Sequence, residues 1–228
     1  VNVNDMGIDL LSVSAHKFYG PKGIGALYMR RKNPRVQLQP IIFGGGHERN
    51  IRSGTLPVPN IVGMGKACDI ARDVMGKENH KITNLRNQLL ETIMDNMPNA
   101  KVNGSMDKRI AGNLNISFLG MNNETIIAAL PEIAISSGAA CTTSTMKPSH
   151  VLLALGLSKE EAYSSLRFGI GRFNTKKDIN SMEILKFILQ KQKLVKLNEM
   201  ITAFQKILKL HGNTNKIQKH TLIINFLH

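Results

Sequence analysis

The sequence has no tryptophan, only two cysteines, and few aromatic residues, which make up 5% of the chain. The cysteines, at positions 68 and 141, cannot form a disulfide framework, so we expect a reducing compartment and a cytoplasmic protein. The longest apolar runs, such as residues 126–130, are far shorter than the roughly 20 residues of a membrane span. Residues 1–5 lack the basic, apolar and small-residue order of a signal peptide, so we expect no membrane partner.

The 228 residues carry a net charge of +14, and half of it lies at one end. Residues 176–228 contain ten lysines against three acidic residues, a net +7. Elsewhere the basic residues cluster only at Arg30, Arg31, Lys32 and Arg35. The sequence contains no zinc-finger spacing, aromatic stacking platform or arginine-rich arm, so nucleic acid is not an expected partner. A sequence-independent electrostatic role on nucleic acid or a membrane surface stays an alternative that charge alone supports.

Hydrophobic periodicity, together with glycine and proline residues that mark turns, predicts a mixture of strands and helices. We expect an open sheet covered by helices, of class α/β, because the two kinds of element alternate. The predicted strands are 9–14, 26–29, 113–118, 133–135 and 166–170. The predicted helices are 59–74, 79–97, 124–130, 148–155, 159–163 and a longer one from 176 to about 210.

Lys17 follows a predicted buried strand and precedes a tight Gly/Pro loop. Burial depresses the pKa of an amine and makes it nucleophilic, which suits a lysine that binds a carbonyl compound covalently. An ordinary loop lysine is the alternative. His16 is of interest because it adjoins Lys17, and no histidine of the sequence forms a metal-binding spacing with cysteine or acidic residues.

Cys141 lies among small and hydroxyl residues, which favour an exposed and reactive thiol, whereas Cys68 fits a structural position on a helix. Arg167 is predicted on a short strand and offers a bidentate group for a carboxylate. A structural ion pair is an equal alternative, and Arg172 is a nearby competitor. The glycine-rich loop 44–55 could hold a phosphate through its backbone and through the hydroxyls of Ser53 and Thr55.

Four segments together resemble one family. They are SAHKFYGPKG at 14–23, GGGHERNIRSGT at 44–55, SSGAACTT at 136–143 and SSLRFGIGRF at 164–173. In this order they resemble the signatures of pyridoxal-phosphate-dependent cysteine desulfurases of the class V aminotransferase superfamily, most closely the type that serves iron–sulfur cluster assembly. The resemblance covers residues 1 to about 175. It implies a fold-type I pyridoxal-phosphate transferase, represented by the end of its large-domain sheet and its small C-terminal α+β domain.

The resemblance also implies roles for the residues of the first two segments. Lys17 would bind pyridoxal 5'-phosphate covalently, and Ser14, Ala15 and His16 would contact this cofactor, Ser14 at its phosphate. His16 and Lys17 would take part in catalysis. Thr55 would reach the phosphate of the neighbouring subunit's cofactor, so the site would need a homodimer.

The other two segments would supply the substrate chemistry. Arg167 would bind the carboxylate of L-cysteine, and Cys141 would attack its sulfur and carry a persulfide, with release of L-alanine. The implied recipients of the sulfur are the iron–sulfur scaffold and other acceptor proteins, toward which Arg30, Arg31 and their basic neighbours would face. A transient iron–sulfur ligand is a further role that the resemblance suggests for Cys141.

The sequence departs from the family in extent. The family's upstream half is absent, and by resemblance it supplies an aspartate for the pyridine nitrogen, a histidine that stacks on the ring and further phosphate ligands. We therefore interpret the chain as a C-terminal part that needs a complementing upstream half. Its predicted domains are the remainder of the large domain (1–65), the small domain with the active-cysteine loop (66–175) and a basic helical or poorly ordered tail (176–228). The alternatives are a non-catalytic remnant or binding module, and a selenocysteine or cysteine sulfinate lyase.

Overall fold

The computed structural model describes residues 1–128, 130, 133–137, 148–180, 200–202 and 206. It divides the chain into two compact units, Val1–Asn79 and His80–His228. The boundaries that we predict from the family resemblance, after residues 65 and 175, stay a prediction. Strands and helices alternate as expected, so the mixed α/β character is confirmed.

The first unit is built on a hairpin of two antiparallel strands, β1 (Leu10–Ser14) and β2 (Gly25–Met29). Leu10 pairs with Met29 and Ser14 with Gly25. Gly25 is required there, because a side chain at this position would collide with the Val13 carbonyl oxygen. The prediction that β1 is buried is wrong: its residues alternate between exposed and half-buried, and Leu10 keeps 46% of its surface accessible.

The two helices predicted over 59–74 and 79–97 form a single helix, α1 (Val58–Asn96). The residues between them contain no proline, and Gly76 costs a helix interior only about 1 kcal/mol. A helix of 39 residues tolerates that cost. Ile82, Leu85, Leu89 and Ile93 recur at helical spacing and are buried in the second unit. No helix in the described part of the chain combines the length and the hydropathy that crossing a membrane requires.

The second unit contains an antiparallel sheet of three strands in the order β3 (Ala100–Val102), β4 (Asn113–Phe118) and β5 (Ser165–Gly169). Its apolar face packs in the core with the buried side of α1. The remaining helices are short: α2 (Asn123–Ala128), α3 (His150–Ala154), α4 (Lys159–Tyr163) and α5 (Lys176–Asn180). The strand predicted at 133–135 is wrong, because only Ser136 joins the sheet, through a single bridge to Arg167. The long helix predicted from residue 176 falls mostly outside the described residues.

Gly112 and Arg109 shape the connection between β3 and β4. Any side chain at Gly112 would overlap the Ile170 carbonyl oxygen, and the Ile170 N–H donates to the Gly112 carbonyl at 2.8 Å. The Arg109 guanidinium donates to the carbonyl oxygens of Asn103 (2.6 Å) and Ser105 (2.7 Å). Burial, with a smaller contribution from the Arg86 cation, lowers the pKa of Arg109. This connection is therefore fixed close to Asn103, at the end of β3.

Candidate active site

A tight turn displays the predicted cofactor lysine. Residues Ala15–Phe18 form a single 3-10 turn directly after β1, and Ala15 is fully buried within it. The Gly20 N–H closes the turn on the Ala15 carbonyl at 2.9 Å, and a Cβ at Gly20 would lie 2.9 Å from that of Ala15. His16 and Lys17 both lie exposed on this turn. The structure thus confirms the turn after the strand but not the burial that we expected at Lys17.

The start of α1 packs against the loop that follows this turn. A Cβ at Gly63 would lie 2.6 Å from Cγ of Pro21, so only glycine lets the helix approach the loop this closely. The Asn60 side chain donates to the Lys22 carbonyl at 3.5 Å. Gly63 was not among the predicted functional residues. A glycine inside a helix is the one sequence signal that could have indicated this contact.

The glycine-rich loop 44–55 is held by a backbone bridge and by the side chain of His47. Ile42 and Arg52 form a parallel bridge, and the Gly54 N–H donates to Nδ1 of His47 at 3.3 Å. Ser53 is buried and Thr55 is exposed. Of the two hydroxyls predicted to meet a phosphate, Thr55 is therefore the accessible one. Within the part of the chain that the structure describes, no hydrogen bond joins Thr55 to the turn that carries Lys17.

Arg30 has a structural position that the sequence did not reveal. Its side chain is only 12% exposed and forms an ion pair with Asp9 at 2.9 Å. It also donates to the side chain of Asn4 and to the carbonyl oxygens of Val3 and Ile8. The expectation that Arg30 faces a partner protein is wrong, because these acceptors already occupy it. Its basic neighbours at positions 31, 32 and 35 are exposed, as expected.

Arg167 is held on both sides in β5 of the second unit. Asn115 of β4 lies opposite it, and Ser136 pairs with it on the other side, where the Arg167 N–H donates to the Ser136 carbonyl at 2.7 Å. The guanidinium is half-buried and makes no hydrogen bond or ion pair with any residue that the structure describes. The described residues therefore offer no structural ion pair for Arg167. The competitor, Arg172, accepts a hydrogen bond from Lys81 at its carbonyl.

Cys141 lies outside the described residues, within 138–147, while both flanks of that segment belong to the second unit. Ser136 before it is paired with Arg167, and α3 begins at His150 after it. Cys68 lies on α1 as predicted, but it is exposed rather than placed on an apolar buried face. Among the described residues, no group of three metal-ligating side chains occurs.

A capped helix borders the sheet at Lys101, Ser117 and Ser165. Ser158 and Glu161 form a reciprocal capping box at the start of α4. The Glu161 carboxylate also accepts a hydrogen bond from Lys101 of β3 at 2.7 Å, and its second oxygen accepts from the Ser158 N–H at 2.8 Å. The hydrogen bond from Lys101, and then that from Ser158, lower the pKa of Glu161. This carboxylate is therefore ionised at neutral pH and already engaged.

Comparison with known proteins gives one consistent family. A family model described as aminotransferase class-V matches residues 1–182. A probable mitochondrial cysteine desulfurase of Dictyostelium discoideum is 52% identical over 192 residues, which are 84% of this chain and 42% of that protein. The cysteine desulfurase IscS of Tolumonas auensis is 55% identical over 180 residues, 79% of this chain and 44% of its own length. The chain thus spans less than half the length of these curated relatives.

Solved structures agree on the fold. A NifS-like protein from Rickettsia africae superposes with a TM-score of 0.72 at 28% identity, covering 83% of this chain and 50% of that one. A structure described as SspA in complex with cysteine has a TM-score of 0.56 at 36% identity, over 77% of this chain and 47% of its own. These similarities confirm the fold class that the sequence motifs imply.

Proposed function

This chain belongs to the class V aminotransferase family, and from that premise we propose that it carries the C-terminal part of a pyridoxal-phosphate-dependent cysteine desulfurase. The proposed reaction takes sulfur from L-cysteine, leaves it as a persulfide on Cys141 and releases L-alanine, for use in iron–sulfur cluster assembly. The relatives named as cysteine desulfurases and the cysteine-bound SspA support this substrate. The observation that carries the proposal is that Arg167 presents a guanidinium without a partner among the described residues.

The residues of the first unit fit the proposed cofactor in part. Lys17 offers an exposed primary amine, and Ser14, three residues earlier, has a hydroxyl that makes no capping hydrogen bond. An amine that binds an aldehyde and a hydroxyl that donates to a phosphate are two of the groups this cofactor needs. When bound, pyridoxal phosphate supplies an electron sink for the carbon skeleton of the substrate. His16 lies exposed beside Lys17 and can contact the same group.

We assign the chemical steps to residues of this chain. Arg167 binds and orients the substrate carboxylate. Lys17 Nζ removes the α-proton of L-cysteine and returns a proton to the carbon skeleton. The Cys141 thiolate attacks the substrate sulfur, so that an S–S bond forms while the C–S bond breaks and its electron pair moves to the β-carbon. That carbon then takes up a proton, and L-alanine leaves.

The proposed partners complete the site. An upstream half would supply the cofactor contacts that the family resemblance assigns to it, and a second subunit would receive Thr55 at its cofactor phosphate. The exposed Arg31, Lys32 and Arg35 are suited to the acidic surface of a scaffold or other sulfur-acceptor protein. Cytoplasmic location stays a prediction from cysteine usage.

A non-catalytic remnant or binding module is the second candidate, and it has a specific observation in its favour. Large apolar side chains of the first unit are exposed, among them Leu27 at 54% and Phe43 at 79%. Such a surface can bind another polypeptide without any catalytic role.

The test is to produce the chain with and without the upstream half that its curated relatives carry, and to measure alanine release from L-cysteine in the presence of pyridoxal phosphate. We expect release only from the assembled protein. Lys17→Ala should abolish it, whereas Lys22→Ala, which changes an exposed lysine of the adjacent loop, should not. Cys141→Ala should abolish persulfide formation, with Cys68→Ala as its matched control.

An assembled protein that binds the cofactor at Lys17 but releases no alanine would favour the second candidate. Persulfide transfer that survives Cys141→Ala would contradict the assignment of the sulfur acceptor. Alanine release by the chain alone would refute the need for an upstream half.

A further inference from the structure

The face of the β3–β4–β5 sheet that lies opposite the core is polar. Side chains of a strand alternate between its two faces, so residues paired across strands share a face. Asn115 pairs with Arg167, and the Asn103 N–H donates to the Asn115 carbonyl at 2.9 Å. Asn103, Asn115 and Arg167 therefore form one row across the sheet. The neighbouring row consists of Lys101, Ser117 and Ser165.

Asn103 joins the two rows and is fixed by its contacts. Its side chain is 3% exposed. Nδ2 lies 2.9 Å from Oγ of Ser117 and 3.0 Å from Oγ of Ser165, and Oδ1 accepts from Ser117 at 3.0 Å. Both serine hydroxyls can also donate to the Glu161 carbonyl, at 3.1 and 2.7 Å. In the structure the Asn103 amide is therefore oriented with Nδ2 toward Ser165 and with Oδ1 accepting from Ser117.

This orientation fixes Asn115 in turn. The Asn103 Nδ2 group donates to Asn115 Oδ1 at 2.7 Å, which makes the oxygen of that carboxamide the atom facing β3. The Asn115 Nδ2 group, on the other arm, is left as a donor with no hydrogen-bond partner in the described residues. Among the described residues, no side-chain nitrogen or oxygen is both fully buried and without a partner, so this unpartnered donor of the half-buried Asn115 is accessible to a ligand.

Two donors without acceptors therefore lie in adjacent positions of the same row, the Asn115 amide and the Arg167 guanidinium. Neither group can accept a hydrogen bond at its nitrogens, so they cannot satisfy each other. The Glu161 carboxylate, at the border of this face, is engaged by Lys101 and by the Ser158 N–H. A ligand with two acceptor oxygens and a negative charge matches this pair of donors.

We propose that Asn115 is a second binding residue for the substrate carboxylate, donating from Nδ2 beside Arg167, and that Asn103 is the positioning residue that turns this amide toward the ligand. The inference rests on the proposed function, since it takes the α-carboxylate of L-cysteine as the ligand. Asn115 would add a neutral donor beside the charged Arg167 guanidinium. A neutral donor favours binding of a carboxylate without adding charge to the site.

The experiment uses the full chain assembled with its upstream half and compares Asn115→Ala with wild type. A hydrogen bond to a charged group contributes about 1.5–3 kcal/mol, which corresponds to a roughly 12- to 150-fold change in binding. We expect KM for L-cysteine and the inhibition constant of L-alanine to rise by at least about tenfold, with kcat within twofold. Inhibition by cysteamine, which has no carboxylate, should not change.

Asn113→Ala is the matched control, because Asn113 lies two residues away on the same strand and face but pairs with Gly169. It should leave both constants within twofold of wild type. Asn115→Asp keeps the oxygen that accepts from Asn103, so this variant controls for an effect on folding. Its carboxylate should repel the carboxylate of the substrate and raise KM further. An unchanged KM in either Asn115 variant, or an equal change for cysteamine, overturns the inference. A wild-type assembly that releases no alanine refutes the proposed function instead.

Discussion

Replacing Asn103 with alanine tests the polar network that underlies the carboxylate site. The substitution removes an almost completely buried amide and its hydrogen bonds to Asn115, Ser117 and Ser165. The two serine hydroxyls still have hydrogen-bond partners, because they lie 2.8 Å from each other and both contact the Glu161 carbonyl. An amide has only two N–H bonds to donate among these three acceptors, so the net loss is close to two hydrogen bonds, or about 2 kcal/mol in the free energy of unfolding.

For a protein of this size, such a loss should lower the melting temperature by about 4 to 8 °C. Urea unfolding followed by circular dichroism measures the free energy directly. Asn84→Ala is the control, because Asn84 is exposed on α1 in the same unit, and its replacement should change stability by less than about 0.5 kcal/mol.

Equal stability of Asn103→Ala and wild type would refute the network as described. In the assembled protein, Asn103→Ala should also raise KM for L-cysteine, since Asn115 loses the contact that orients it. A stability loss without any change in KM would leave Asn103 with a purely structural role.

Two further predictions concern Gly112 and Glu161 of the second unit, and the first has its control in the first unit. Gly112→Ala should destabilise the chain by about 1–3 kcal/mol in urea unfolding, because the new methyl group overlaps the Ile170 carbonyl. Gly76→Ala, at an open position of α1, should instead be neutral or stabilising, and the opposite order would contradict this packing. The pKa of Glu161 is lowered in the folded protein, so its ionised form stabilises the fold. This contribution is fully present above the ordinary carboxyl pKa, near pH 4, and it is lost as the pH falls through the lower pKa of the folded state. Melting curves of Glu161→Gln should therefore depend less on pH than those of wild type in acid; identical slopes would refute the assignment.

The local elements of the second unit could be predicted from the sequence because its pattern is regular. The strand predicted at 113–118 matches β4, and the helix predicted at 159–163 matches α4, where Ser158 and Glu161 provide a capping box. The helix break predicted near Gly76 is wrong, because a local sequence signal was given too much weight. A single glycine weakens a helix but does not remove a backbone hydrogen bond, as proline does.

The residues that position the site could not be predicted, because their partners are distant in sequence. Arg30 bonds to Asp9, 21 residues away, and Asn103 bonds to Ser165, 62 residues away. Neither residue belongs to a motif of its own. Asn115 appears in the sequence as one polar residue of an alternating strand, and only its register opposite Arg167 gives it a candidate role.

The two units differ in the apolar surface that they bury, and this difference bears on how the protein works. Within Val1–Asn79, all of which the structure describes, the buried apolar residues are Ala15 and Ala67, whereas the core built on the sheet contains Phe118, Leu89 and many others. A groove of about 980 Å³ also runs along β2 and the start of α1.

Apart from these two alanines, the apolar side chains of the unit are at most half-buried. Their burial therefore offsets only part of the conformational entropy of 79 ordered residues, which is about 1–2 kcal/mol for each backbone. We therefore expect another polypeptide to cover the unit that carries Lys17. The exposed face alone is equally compatible with a binding module. However, the unit that we expect to be covered also carries the exposed Lys17 and Thr55, so the same contact that completes its core would complete the proposed cofactor site. This coincidence favours an upstream half as the partner, with folding of the first unit and cofactor binding occurring together.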